Sequence, residues 1–130
     1  MIRAVIDTNV LIASLGKRSP YRWLYDGIRE GSYTLLLSNG ILTEYYEVMQ
    51  YKASFAVAEN VCNLLCMLPR VEFITPHFAW NLVEADADDN KFVDCAIAGS
   101  ADALVTHDRH FAPLKMLDFP PVPVMNTEEF

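Results

Sequence analysis

The sequence predicts a three-layer α/β/α sandwich whose central sheet is mainly parallel and has four to five strands. Two features predict it. Short apolar runs of strand length alternate with longer stretches in which apolar residues recur at helical spacing, the order that produces right-handed strand–helix–strand crossovers. The first of these runs lacks the polar alternation of a half-exposed strand, as expected where helices cover both faces of a sheet.

Residues 2–6 read as the first strand. Pro20 opens a helix that runs to about residue 30, because its fixed φ suits a first helical turn, and Gly31 closes it. Residues 33–37 form the second strand. Ser38 can cap a helix whose Ile41, Leu42, Tyr45, Val48 and Met49 fall on one side. In the next helix Val57, Val61, Leu64, Leu65 and Leu68 make the stripe, and Pro69 ends it. Residues 71–74 are the third strand. After a polar stretch, residues 90–100 form a helix with Phe92, Val93, Ala96 and Ile97 facing inward, and residues 103–106 form the fourth strand. The candidate fifth strand, residues 122–125, belongs at the sheet edge because Pro121 and Pro123 cannot donate to a ladder on both sides.

With 130 residues, 52% of them hydrophobic and 21% charged, the chain is expected to form one globular domain over residues 1–130. No apolar run approaches the roughly 18 to 20 residues of a membrane span, and the opening "MIRAVID" lacks the apolar stretch and cleavage site of a secretory signal. A cytoplasmic protein without membrane contact is the expectation. Cys62, Cys66 and Cys95 match no CxxC or zinc spacing and are expected to be reduced core residues. The net charge of −7 argues against a broad basic nucleic-acid platform. It leaves open a site where acids hold a cation that in turn meets phosphate.

Within the run "AVIDTNVLI" sits Asp7, an acid where burial should penalise charge. In parallel sheets ligands bind beyond the carboxyl ends of the strands, and Asp7 directly follows the first strand while Asp108 comes two residues after Thr106. At about 100° per residue, Glu44 lies on the flank of its helix stripe, with Glu47 turned further outward. The stripe of the helix at 90–100 projects back onto Asp89, whereas Asp88 and Asp94 point away. Each acid also has a plainer reading: Asp7 and Asp89 as helix caps, Asp108 as a turn residue, Glu44 as a solvated flank. Taken together, four carboxylates converging on one sheet edge repel one another and call for a divalent cation.

"VIDTNVLI", "SNGILTEYYEVM", "DADDNKFVDCAIAGSADALVTHD" and a last strand followed by "TEEF" resemble, in this order and over nearly the whole chain, the PIN-domain family. The likeness is to its branch of toxin components of toxin–antitoxin systems, the VapC-like ribonucleases. The resemblance implies a metal-dependent endoribonuclease using Mg²⁺ or Mn²⁺, one or two ions, with Asp7, Glu44, Asp89 and Asp108 as the catalytic, metal-binding acids. It implies Asp7 and Asp89 as direct ligands, with Glu44 and Asp108 acting through water or orienting the nucleophile. It also places Thr8, Asn9 and Thr106 behind these acids, orienting them. Such a centre suits hard cations, because carboxylates supply charge and leave positions open for water and a phosphate oxygen. One departure is His110, which stands where related sequences often carry a further acid; it is expected to lie at the surface, with contact to a softer metal or a phosphate as the alternative.

The implied partners are an RNA substrate and an antitoxin protein that sets a basic residue into the acidic groove, and PIN domains of this kind commonly pair as homodimers. Tyr21, Trp23, Leu24 and Tyr25, or Tyr45, Tyr46 and Tyr51, are candidates for such a surface. Three other functions compete. A catalytically silent PIN-fold interaction module would not need all four acids. A phosphatase of the haloacid-dehalogenase type needs a second carboxylate two residues after the first, where this chain has Asn9. A dinucleotide-binding domain needs a glycine-rich loop after the first strand, and "DTNVLI" occupies that place.

Overall fold

A computed structural model describes residues 1–83, 86–116 and 120–130. Strand β1 (Arg3–Ile6) leads into helices α1 (Thr8–Ala13) and α2 (Arg22–Glu30), then strand β2 (Thr34–Leu37). Helices α3 (Asn39–Lys52) and α4 (Phe55–Met67) pack as a hairpin before strand β3 (Val71–Phe73). A 3₁₀ turn (Ala87–Asp89) opens helix α5 (Asn90–Ala98), followed by strand β4 (Ala103–Val105), a second 3₁₀ segment (Arg109–Met116) and strand β5 (Val124–Met125).

All strand pairs are parallel, in the order β3-β2-β1-β4-β5, with helices on both sides of the sheet. The sandwich is therefore as expected, and the sheet is parallel throughout the described residues. Burial explains the apolar strands: every residue of β2 is buried, as are Ala4, Val5 and Ile6 of β1. β3 lies at an edge with its side chains mostly exposed, so both outer strands are short, which limits unwanted pairing. The order reverses between β1 and β4, where the helices leaving the two strands diverge and open a crevice.

Helix caps agree with the sequence reading. The Ser38 hydroxyl accepts from the Ile41 amide, and the stripe of α3 buries Ile41, Tyr45 and Met49 completely. Gly31 closes α2 in the left-handed conformation at φ 75°, which a residue with a Cβ would adopt only with strain. Helix α1 is an element that the periodicity did not separate, since six residues following a strand carry less than two turns of pattern.

Two expectations about individual residues are corrected. Cys62 and Cys95 are buried free thiols, pushed up to about 11 and about 12 by burial, but Cys66 is exposed on the outer face of α4. Of the aromatic candidates for a paired surface, Tyr25 and Tyr45 belong to the core, as does Leu24, while Trp23 and Tyr51 remain exposed. Among the described residues no helix is long and apolar enough to cross a membrane.

Candidate metal centre

β1 delivers Asp7 to the crevice. Its amide continues the sheet by donating to the Val105 carbonyl at 2.9 Å, after which the chain turns into α1. The buried carboxylate accepts from the Thr8 amide through Oδ1 and from the Thr106 hydroxyl through Oδ2, both at 2.8 Å. Asp7 is thus both the helix cap and a member of the site. Burial raises its pKa, the Thr106 and Thr8 hydrogen bonds oppose the rise, and Asp108 and Glu44 add repulsion.

Thr106 ends β4 beside Asp7. The same hydroxyl that donates to Asp7 accepts from the Asp108 amide at 3.0 Å, so one side chain ties two acids together. Asp108 in turn accepts from the His110 amide at 2.9 Å, forming the turn that its alternative reading anticipated. Its carboxylate stays at the crevice nonetheless.

Glu44 comes from α3, which is anchored one residue on by the buried Tyr45 hydroxyl donating to the Ile6 carbonyl. Thr8 Oγ1 donates to one Glu44 oxygen and Lys91 Nζ lies 2.8 Å from the other. With both oxygens engaged, Glu44 is fixed in direction. Thr8 and Thr106 therefore contact the acids. Asn9 does not: it is exposed, and its Oδ1 accepts from Lys52 at 2.8 Å. It sits on the outer flank of α1, because successive helical residues point about 100° apart.

Asp89 is brought in by the 3₁₀ turn. Asp86 caps that turn by accepting from the Asp88 amide, and the buried Asn90 holds the preceding loop through two hydrogen bonds to the Val83 backbone. Asp89 itself makes no capping bond, and its Oδ2 is buried without a hydrogen-bond partner. Burial first, then repulsion from Asp86, Asp108 and Asp7, pushes its carboxyl up to about 6. Asp88 is exposed and Asp94 accepts from the Trp80 amide at 3.1 Å, both outside this group.

The structure thus gathers Asp7, Glu44, Asp89 and Asp108 around the mouth between β1 and β4. Three residues of the site were not picked from sequence. Asp86 belongs to it, and with Asp89 and His110 it places donor atoms within 4.8 Å of one another. Lys91 pairs with Glu44 across two helices, a contact no local pattern announces. His110, expected merely at the surface, is exposed yet directs Nδ1 to 3.4 Å from both Asp89 Oδ2 and Asp108 Oδ1. A buried carboxylate oxygen lacking any donor, mutual repulsion among acids, and an almost all-oxygen donor set fit a hard divalent cation.

The raised carboxyl of Asp89 has a consequence for the metal-free protein. A proton binds the folded state more tightly than the unfolded one, so the destabilisation is complete above about pH 6 and relieved as pH falls toward 3.8. Asp7 shifts in the same direction. Glu72, held low by its bond to Arg3, works oppositely only at lower pH. Urea melts in a chelator should therefore show stability rising by about 1 to 2 kcal/mol between pH 7.5 and 5. A flat or falling profile would contradict the geometry around Asp89.

Comparison with known proteins sets this arrangement in a family. A family model described as PIN domain matches residues 3–110. No curated protein matches the chain by sequence. Similar solved structures include the VapBC2 complex of Rickettsia felis bound to a promoter DNA fragment, at TM-score 0.64 and 17% identity, covering 96% of this chain and 98% of that one. VapC20 of Mycobacterium tuberculosis, a sarcin-ricin loop cleaving toxin, follows at TM-score 0.59 and 17% identity, covering 88% and 96%. DNA-bound VapBC of Salmonella typhimurium has TM-score 0.61 and 13% identity, covering 97% and 98%. These likenesses share the fold of the parallel sheet, and the family match spans all four gathered acids, so the chain belongs to the PIN-domain family.

Proposed function

We propose that this chain is a divalent-metal-dependent endoribonuclease and the toxin of a toxin–antitoxin pair, acting as one cytoplasmic domain over residues 1–130. The observation that carries the reading is the convergence of Asp7, Glu44, Asp89 and Asp108 on one crevice, with Asp89 Oδ2 buried and unpartnered. Asp7 and Asp89 would hold Mg²⁺ or Mn²⁺ directly, with Asp108 beside them. A bound ion of this kind supplies an activated water at neutral pH and positive charge for the phosphate oxygens. Glu44, clamped by Thr8 and Lys91, orients rather than ligates, and Lys91 offsets part of the acidic field at the crevice. Thr106 favours the ionised form of Asp7 by donating to it, against the effect of burial.

An RNA substrate would need cationic contacts despite the chain's net charge of −7. Arg109 and Lys115 line a hollow of about 290 Å³ that also includes Asp108, at the carboxyl ends of β4 and β5. Among the described residues Arg109 has no ion pair, so its guanidinium is available to a backbone phosphate next to the one being cleaved. Arg109→Ala should raise KM for RNA about three- to tenfold with kcat little changed, and reduce the salt dependence of binding by about one unit of log–log slope. Equal losses in kcat and KM would remove Arg109 from the substrate path.

The acidic crevice also suits a partner that inserts a basic side chain, and two of the similar structures are VapBC complexes bound to DNA. Trp23 and Tyr51 leave apolar surface for a homodimer. Purified protein in catalytic amounts, with and without Mn²⁺, should cleave RNA only with the ion. Co-expression with the product of an adjacent short gene should suppress both cleavage and growth arrest. Metal-independent cleavage, or none at all, would reject the nuclease.

A further inference from the structure

We propose that His110 is a ligand of this centre through Nδ1, and that it biases the site toward Mn²⁺ and similar nitrogen-accepting divalent ions over Mg²⁺. The inference deepens the metal reading above and rests on it. Its basis is the position of one nitrogen. His110 Nδ1 stands 3.4 Å from Asp89 Oδ2 and 3.4 Å from Asp108 Oδ1, the carboxylates of two different elements. Asp89 Oδ2 is the buried oxygen without a hydrogen-bond partner, so the nearest heteroatom facing it does not satisfy it.

The spacing discriminates between roles. A charge-assisted hydrogen bond from an imidazolium would draw the atoms to about 2.7 to 2.9 Å of one carboxylate. Here the nitrogen is equidistant from two carboxylate oxygens, at a separation longer than that bond takes. Two donors at about 2.1 to 2.2 Å from one cation, at right angles or slightly more, lie about 3.0 to 3.4 Å apart. Asp86 adds a further oxygen within the same 4.8 Å group, so the donor set extends beyond the two acids. The ring is aimed by its own backbone, because the His110 amide is held by Asp108 Oδ1 at 2.9 Å.

Chemistry supplies the selectivity. Mg²⁺ is bound through oxygen and takes imidazole reluctantly, whereas Mn²⁺ and later first-row ions accept it. A mixed oxygen and nitrogen set therefore raises the Mn²⁺ preference relative to oxygen alone.

Pulsed electron paramagnetic resonance of the full chain loaded with Mn²⁺, beside thermal melts titrated with Mn²⁺ and with Mg²⁺, tests this without reference to activity. Wild type should show ¹⁴N modulation from a bound imidazole. His110→Ala and His110→Asp should lose it, and the ratio of Mn²⁺ to Mg²⁺ affinity should fall about tenfold in His110→Asp, which exchanges the nitrogen donor for an oxygen and adds a negative charge felt by both ions. His107→Ala, altering the neighbouring exposed histidine, should keep both signatures. Mn²⁺ binding without nitrogen modulation, or an unchanged affinity ratio in both His110 variants, overturns the inference and leaves the carboxylate centre standing without His110. Absence of stabilisation by either ion in wild type overturns the metal reading and this inference together.

Discussion

Asp89→Asn is expected to lower RNA cleavage by several orders of magnitude while making the metal-free protein more stable than wild type. The two effects share one cause. Asp89 is pushed up to about 6 by burial and by Asp86, Asp108 and Asp7, so its ionised form is costly at neutral pH when no cation is present. Removing the charge should recover about 1 to 2 kcal/mol in chelator, in keeping with like charges a few ångströms apart at intermediate dielectric. The gain in melting temperature conferred by millimolar Mn²⁺ should shrink, because that gain follows the affinity of the folded state for the ion. Loss of a cap cannot produce this pattern: the Asp89 side chain makes no capping bond, and Asp86 caps the turn. Asp88→Asn and Asp94→Asn are the controls, one exposed and the other spent on the Trp80 amide. Both should retain metal stabilisation and cleavage, and their loss with Asp89→Asn unharmed would move the site elsewhere.

The frame of this fold was legible because burial writes itself as pattern. β1 and β2 are covered on both faces and appear as unbroken apolar runs, and α3 shows its buried side as Ile41, Tyr45 and Met49 at helical spacing. Elements whose identity depends on neighbours were less legible. Helix α1 is an apolar stretch too short to show a period, and nothing in the short run of β3 announced its place at the sheet edge. Cys66 was misjudged for a similar reason: it shares a helix with the buried Cys62, four residues away and thus near its face, but at the end of α4 that face runs beyond the core.

For the site, chain position at a strand end or helix flank put forward Asp7, Asp108, Glu44 and Asp89, acids that lie close enough in the structure to repel one another. What the sequence could not carry was tertiary pairing. Lys91 meets Glu44 from a helix 47 residues away, and no local spacing encodes that meeting. His110 was expected at the surface and is exposed; that its ring also comes within 3.4 Å of Asp89 and Asp108 is a meeting that depends on the 3₁₀ segment after Asp108. Asn9 erred in the opposite sense: its neighbours on either side of the chain are inward, and one step around α1 turns it to Lys52. Motif adjacency is not adjacency in space.

Thr106→Val should be nearly as damaging to activity as loss of an acid, although valine matches threonine in shape. The Thr106 hydroxyl donates to Asp7 Oδ2 at 2.8 Å and accepts from the Asp108 amide at 3.0 Å, and a methyl group can do neither. No cavity forms, so the cost lies in two groups left unsatisfied, one of them a buried carboxylate oxygen. Expected destabilisation is about 1 to 3 kcal/mol in the metal-free protein. Losing a hydrogen bond that favours the ionised form also drives the Asp7 pKa further upward, in the direction burial already pushes it. A more readily protonated and less firmly aimed Asp7 should bind Mn²⁺ about ten- to a hundredfold more weakly. Two features separate this from mere loss of stability. Thr106→Ser retains the hydroxyl and should restore metal affinity and cleavage to near wild type even if its missing methyl costs some stability. Raising the Mn²⁺ concentration should recover part of the valine variant's activity but none of that of Asp89→Asn. If the valine variant binds Mn²⁺ as wild type does and cleaves RNA at the wild-type rate, Thr106 only closes the turn after β4 and the positioning of Asp7 must come from the Thr8 amide alone.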